Sequence, residues 1–243
     1  MNNVVSNIPA LQLAIAFIPV AVTLAIFMRW SLGVGHALYA VARMLIQLLL
    51  IGYVLAYIFG AEDAGLIVLV LSIMLIASSW IALGTVQTQR KALFTRVLLS
   101  IAIGGGLTLV LITQWVLQLD PWYLPRYMIP LAGMIFANAM TSVSLSAERL
   151  NAELAHNLSW NEARIIAFQA AMIPVINSLF AVGLVSLPGM MTGQILSGVS
   201  PMIAARYQII VMCMIFSSAG ISTAIFLALA RVKLQKESVA SLD

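Results

Sequence analysis

The sequence predicts an all-α integral membrane protein of about seven transmembrane helices, with an amphipathic helix on its cytoplasmic side. Three observations carry that prediction. Only 8% of the residues are charged, whereas a soluble domain carries about a quarter. The chain is 63% hydrophobic with a mean hydropathy of +1.07, so it cannot cover its own surface with polar groups and lipid must be the solvent for much of it. The apolar residues come in runs of about 20, the length that crosses a bilayer as a helix.

In order, the runs are Ile8 to Met28, Ala37 to Phe59, Ala64 to Val86, Phe94 to Leu119, Tyr127 to Ala147, Ile165 to Leu187 and Ala204 to Ala230. Leu, Ile and Val occupy all faces of each, with scattered Gly. Strict alternation is absent, which argues against a membrane β-barrel. The opening residues, MNNVVSNIPA, hold neither a basic region nor a clear cleavage site, so the first run is expected to stay as a helix. Residues 1–243 are read as one transmembrane domain, with no repeat and no low-complexity tract.

Basic residues orient the spans. Arg29 follows the first, Arg90, Lys91 and Arg96 the third, Arg149 and Arg164 the fifth, and Arg231, Lys233 and Lys236 the seventh. The opposite side holds Arg126 and Arg206 with Glu62, Asp63 and Asp120. Positive charge collects in the cytoplasm, which places the N-terminus outside and the C-terminus inside. The net charge of +4 lies in these connections, so loop topology accounts for it and nucleic acid is not an expected partner.

The connection from about 146 to 164 is the longest on the cytoplasmic side. Leu150, Leu154 and Leu158 recur every four residues, and Glu148, Arg149, Glu153 and Asn157 fill the other faces. The spacing predicts an amphipathic helix at the membrane surface. Ser159 and Glu162 then form a capping-box pattern, so this stretch reads as helix, break, and entry into the sixth span.

Enzymatic constellations are missing from the sequence. His36 and His156 both map to the cytoplasmic side, no H-E-x-x-H is present, and Ser186 in GLVS has no histidine at its depth. There is no phosphate-binding G-x-x-x-x-G-K-[ST] loop, so any ATP that energises the protein binds another chain. Cys213 is the only cysteine, which excludes an intrachain disulfide. Clustered carboxylates or imidazoles for a hard or borderline metal are not visible within the spans.

Polar residues inside apolar helices need a reason. His36, Arg43 and Gln47 fall near one face of the second span, where Arg43 either snorkels to the surface or lines a pathway. Asn138 and Asn177 are amides in apolar helices and are expected to face other helices. Pro174 is expected to kink the sixth span. Ser217, Ser218, Gly220, Ser222 and Thr223 form a small polar stretch suited to close packing. The segment GLVSLPGMMTGQILSGVSP, 183–201, holds four glycines and two prolines at the outer end of two spans. Irregular backbone at membrane depth survives where it lines a cavity or is buried in protein. Pro188, Gly189, Met190, Met191, Gly193 and Gln194 are therefore read as a gate or re-entrant turn. Met190 and Met191 offer thioethers that suit a soft ion, but with 13 methionines in the chain they are expected to fill gaps between helices.

Several of these stretches also carry a resemblance. PLAGMIFANAM (130–140), VGLVSLPGMMTGQILSGVSP (182–201) with the following ARYQIIV, RMLIQLLLIGYVLAYIF (43–59) and ELAHNLSWNEARIIAF resemble the FetB-like family of iron-export ABC permeases, related to plant aluminium-sensitivity half-transporters. The similarity runs through nearly the whole chain in the same order. It implies a homodimeric permease working with two copies of a separate cytoplasmic ATPase that binds ATP and Mg. The 148–164 stretch then resembles the coupling loop of ABC importers, with Glu148, Leu150, Glu153, Leu154, Leu158, Trp160 and Arg164 meeting the ATPase. That wider class often has a Gly shortly before the following helix. Asn157 occupies the position here, and Asn tolerates left-handed backbone. Arg43, Gln47, Asn138, Asn177 and the 188–194 segment would form the pathway and its outer cap. The resemblance implies metal export, or nucleotide-sugar transport as in plant relatives. A secondary transporter in the inner membrane, or a membrane scaffold that transports nothing, is the alternative class; the first of these often shows repeats and intramembrane acids, and neither is evident here.

Overall fold

The structure, a computed structural model, describes residues 8–60 and 63–240, with the backbone alone at 56, 57 and 232–240. Glu62 lies outside the described residues, as do the side chains of Lys233 and Lys236. Among the described residues, seven helical segments are long and apolar enough to cross a membrane, and the chain is an all-α integral membrane protein. It divides into two compact units, Met1–Ala61 and Glu62–Asp243.

In the first unit, α1 (Ala10–Ile15) and α2 (Phe17–Arg29) make one span, interrupted at Ala16. Pro19 explains the interruption, because it has no N–H to give the Ile15 carbonyl four residues back. Thr23 Oγ1 donates to the Pro19 carbonyl at 3.0 Å. Ser31, at φ 54°, turns the chain, and the Leu32 N–H donates to the Phe27 carbonyl at 2.9 Å. α3 (Val34–Ile58) follows.

The second unit holds α4 (Ala64–Ala82), α5 (Arg90–Val110), α6 (Pro125–Ala155), α7 (Trp160–Ala181), α8 (Gly189–Leu196) and α9 (Pro201–Ala240). α9 is the centre of the packing and lies against α5, α6, α7 and α8. In lipid, apolar side chains gain little by leaving the solvent, so close backbone approach and internal hydrogen bonding must hold helices together. The residues at the contacts are of that kind. Ala163, Ala167 and Ala171 are fully buried at every fourth position of α7. Gly104 of α5 faces the backbone of Ser222 on α9 so closely that an added Cβ would lie 2.6 Å from the Ser222 nitrogen. The small polar stretch on the seventh span therefore packs closely, as its composition predicts. Buried hydroxyls mostly bond back within their own helix: Ser79 to Leu75, Thr108 to Gly104 and Ser146 to Val143, at 2.7, 2.7 and 2.9 Å.

Helix ends follow local chemistry. The Asp63 side chain accepts from the Gly65 N–H at 2.8 Å and caps α4. At the other end of α4, the Arg90 guanidinium donates to the Trp80 carbonyl at 2.7 Å and lies 3.8 Å over the indole ring. α5 runs into a π-helical stretch, Leu111–Val116. Trp80 at one end of the bundle, and Trp115 and Trp122 at the other, are exposed, the placement of interfacial aromatic residues. Among the described residues of this unit, one end carries Arg90, Lys91, Arg96, Arg149, Arg164 and Arg231. The other carries Arg126 and Arg206 with Asp63 and Asp120.

Three expectations change. The fifth span does not end near Ala147 to give way to a separate surface helix: α6 continues unbroken to Ala155. Its 31 residues span about 46 Å, well beyond a hydrocarbon core of about 30 Å. The amphipathic 146–155 stretch is thus the projecting end of the span, with Leu150 packed in the core of the chain itself and Leu154 half-buried. The sixth span ends at Ala181, not Leu187. Gly183 at φ 81° turns the backbone, and its N–H donates to the Ser186 carbonyl at 2.9 Å. Finally, residues 189–196 form a short helix, not irregular backbone, with Pro188 as its N-cap and Gly198 at φ 92° leading out.

Candidate functional site

Two places gather the residues singled out in the sequence. The first is at the α8 end of the second unit. A cavity of ≈ 320 Å³ is lined by residues of α6, α7, α8 and α9 together with the turn before α8. Asn138, Pro188, Gly189 and Met190 all face it, so four of the expected pathway residues do come together. Gln208 of α9 lines it as well. The residue is only 5% exposed, and among the described residues its Oε1 finds no hydrogen-bond donor. An adjoining cavity of ≈ 410 Å³ shares Gln208 and Met212 and adds Met191. Met190 and Met191 are neighbours in sequence, but successive residues on a helix point about 100° apart. They therefore serve different cavities.

The remaining pathway candidates behave differently. Asn138 does not bridge helices: its Nδ2 donates to the Met134 carbonyl of its own helix at 2.8 Å. The amide oxygen is then left as an acceptor. Asn177 does not face another helix of this unit; it is exposed on α7, as is Gln169. Gly193 is exposed, and neither it nor Gln194 lines these cavities, although Gln194 has a buried Oε1 without a partner. A Cβ added at Gly189 or Gly193 would meet nothing within 4 Å, so neither glycine serves close approach within the chain. Pro174 sits inside an unbroken α7. Arg43 and Gln47 belong to the first unit, on α3, where both are exposed. Sequence reasoning missed Gln208, although the signal is the one that marked Asn138: an amide in an apolar run.

The second place is the turn between α6 and α7. His156 ends α6, and Asn157 stands in left-handed backbone at φ 60°, as its position in the pattern predicts. Ser159 then caps α7. Its Oγ donates to Glu162 Oε2 at 2.6 Å and accepts from the Glu162 N–H at 3.4 Å, while the Ser159 N–H donates to Glu162 Oε2 at 3.2 Å. This is the expected capping box.

The docking face expected here is partly internal. Leu150 is 3% exposed and Glu153 8%, so both are largely covered by the second unit itself. Glu153 pairs with Arg149 at 2.6 Å. Leu154, Leu158 and Trp160 are half-buried, whereas Glu148 and Arg164 are exposed. The exposed tip comprises Ala155, His156, Asn157, Ser159 and Asn161. Beside it, Trp160, Arg164 and Arg231 help line a cavity of ≈ 660 Å³ between α7 and α9.

Comparison with known proteins places the chain. The uncharacterised protein family UPF0014 matches residues 10–166 and 157–234. The Escherichia coli K12 protein named "probable iron export permease protein FetB" is 35% identical over 235 residues, covering 90% of this chain and 89% of that protein. A UPF0014 membrane protein of Synechocystis is 35% identical over 204 residues, 78% of this chain and 79% of its own length. The Arabidopsis thaliana protein named "ALUMINUM SENSITIVE 3" is 33% identical over 222 residues, 84% of this chain and 80% of its own. No solved structure matches.

Proposed function

The chain belongs to the UPF0014 family, and on that premise we propose that it is the membrane-spanning permease subunit of an ABC exporter of iron or a related metal ion. The likeness along most of the chain to a relative named as an iron export permease carries this reading. The helices support it: seven spans joined by connections too short for a nucleotide-binding domain, among the described residues. ATP and Mg are bound by a separate cytoplasmic ATPase subunit. The permease works as a homodimer in the inner membrane. A bilayer does not satisfy amides, and Gln169 and Asn177 stand exposed on α7, so a second copy supplies their partners.

In this reading the basic end of the bundle faces the cytoplasm, with the N-terminus outside and the C-terminus inside. The projecting end of α6 and the Asn157 turn meet the ATPase. The cavity around Gln208 and Asn138 lies towards the outside, with α8 over it.

Cysteine labelling in a Cys213→Ala background tests the orientation. Positions 120–122 should label from outside, and positions 90–91 and 233–236 from the cytoplasm. Labelling of 91 and 121 from the same face refutes the arrangement. Gly189→Leu tests the outer cap. The chain itself has room for the side chain at that position, so the variant should fold and assemble with the ATPase. Metal export should nevertheless be lost, because the added bulk projects into the cavity or the second copy. Normal export by this variant removes α8 from the pathway. Co-purification of an ABC ATPase with the wild-type chain tests the reading as a whole, and its absence under conditions that keep the permease folded counts against it.

A further inference from the structure

We propose that the paired cavities around Gln208 form a thioether and amide-oxygen site for a soft, low-charge metal cation. The proposal rests on the reading of the chain as a metal-ion permease and names the class of ion it takes. Met134 from α6, Met190 from α8 and Met212 from α9 line one cavity, together with Asn138 and Gln208. Met191 and Met212 line the other, again with Gln208, and the exposed Cys213 stands on the same wall. Three helices therefore supply sulfur around one buried amide.

Two features separate this arrangement from ordinary packing. Methionine used as filler closes gaps, yet here the side chains border open volumes of ≈ 320 and ≈ 410 Å³. Gln208 is 95% shielded with an unpartnered Oε1, and a buried carbonyl oxygen without a donor is costly in a low-dielectric interior. A cation is one partner that meets the need. Asn138 adds a second oxygen, since its N–H₂ group is committed to the Met134 carbonyl.

The donors also set the selectivity. All are neutral. Among the described residues no group of three His, Cys, Asp or Glu side chains is placed to hold a metal. Neutral thioethers favour soft, reduced ions of the Cu(I) and Ag(I) kind, with Fe(II) at the hard limit, and offer little to Fe(III), Mg(II) or Ca(II). Without anionic ligands the hold is weak enough for release, which suits a transit site. Ligands drawn from three helices also let a relative shift of those helices open the site.

The test uses Ag(I), which is soft and redox-inert in this setting, titrated calorimetrically into the full chain in lipid nanodiscs. Parent and variants alike carry Cys213→Ala, which removes the thiol that lines the second cavity, so the binding read out is that of the thioethers and amides. The Met134→Leu/Met190→Leu/Met212→Leu protein conserves volume while removing sulfur. Its Ag(I) affinity should fall by an order of magnitude or more, and Gln208→Leu should weaken binding too. Met202→Leu, at an exposed position outside both cavities, should bind as the parent does. If the triple variant does not fold, Met190→Leu alone should still weaken binding measurably. Unchanged Ag(I) affinity in the sulfur-free cavity overturns the site, as does parent binding of Mg(II) as tight as that of Ag(I). The two levels separate cleanly. Export by the triple variant at the parent's rate would leave the permease standing and sink the site. Intact Ag(I) binding without any ATP-driven export would do the reverse.

Discussion

Gly104→Val is expected to remove the folded protein from the membrane. A Cβ at residue 104 would lie 2.6 Å from the Ser222 nitrogen and 2.9 Å from its Cα, distances that real Cβ atoms do not adopt. The obstacle is helix backbone, so no side-chain rotation relieves it, and α5 and α9 must separate. Overpacking typically costs about 1–3 kcal/mol where side chains can yield; here the contact that joins two central helices is forced apart. The neighbouring glycines provide the scale. At Gly105 a Cβ would sit 3.0 Å from Ile135 Cγ2 and 3.2 Å from Phe136 Cδ1, which side chains can partly accommodate. At Gly106 it would meet nothing within 4 Å. Size-exclusion profiles of detergent extracts should therefore show loss of the monodisperse species for Gly104→Val, a reduced peak for Gly105→Val and a normal one for Gly106→Val. Equal behaviour of the 104 and 106 variants would mean that α5 and α9 do not meet in this way.

The second large effect is expected at the turn between α6 and α7. Asn157→Val should abolish stimulation of the partner ATPase while the spans still insert. Left-handed backbone at φ 60° costs an L-residue about 1–2 kcal/mol, and a β-branched residue suffers most. The valine would push the turn out of its geometry and misplace the exposed tip from Ala155 to Asn161. Asn157→Gly keeps the conformation at no steric cost and should stimulate as the wild type does. Turnover of the ATPase, with and without each permease variant, reads the difference. Leu154→Asp should also uncouple, since Leu154 is half-buried beside the tip. Leu150→Asp should instead destabilise the fold, because Leu150 is in the core. Full stimulation by Asn157→Val would take this turn out of the mechanism.

How much of this was legible in the sequence depends on the kind of signal. The spans were readable because hydropathy over about 20 residues is set by the bilayer alone. The capping box and the left-handed Asn157 were readable because caps and turns are local chemistry. The course of α6 was not. Glu148, Arg149 and Glu153 lower the hydropathy after Ala147, so hydropathy alone ends the span there, yet nothing in 147–155 breaks a helix and the Arg149–Glu153 pair supports one. Periodicity marks the Leu150, Leu154 and Leu158 face as apolar but does not say what covers it, and the chain itself covers Leu150. Gly189 and Gly193 suggest irregular backbone, but Pro188 starts a helix on which Gly189 faces the cavity and Gly193 is exposed. The convergence of Met134, Met190 and Met212 on Gln208 joins residues far apart in the chain, and no local pattern announces it.

The most direct measurement is metal movement in proteoliposomes that hold this chain with its co-purified ABC ATPase. Fe(II) should move outward with respect to the cell when ATP is added on the ATPase side, and only when both subunits are present. It should stop when the catalytic site of the ATPase is disabled. Movement of the metal by this chain alone, driven by an ion gradient and indifferent to ATP, would contradict the account and return the protein to the class of secondary transporters.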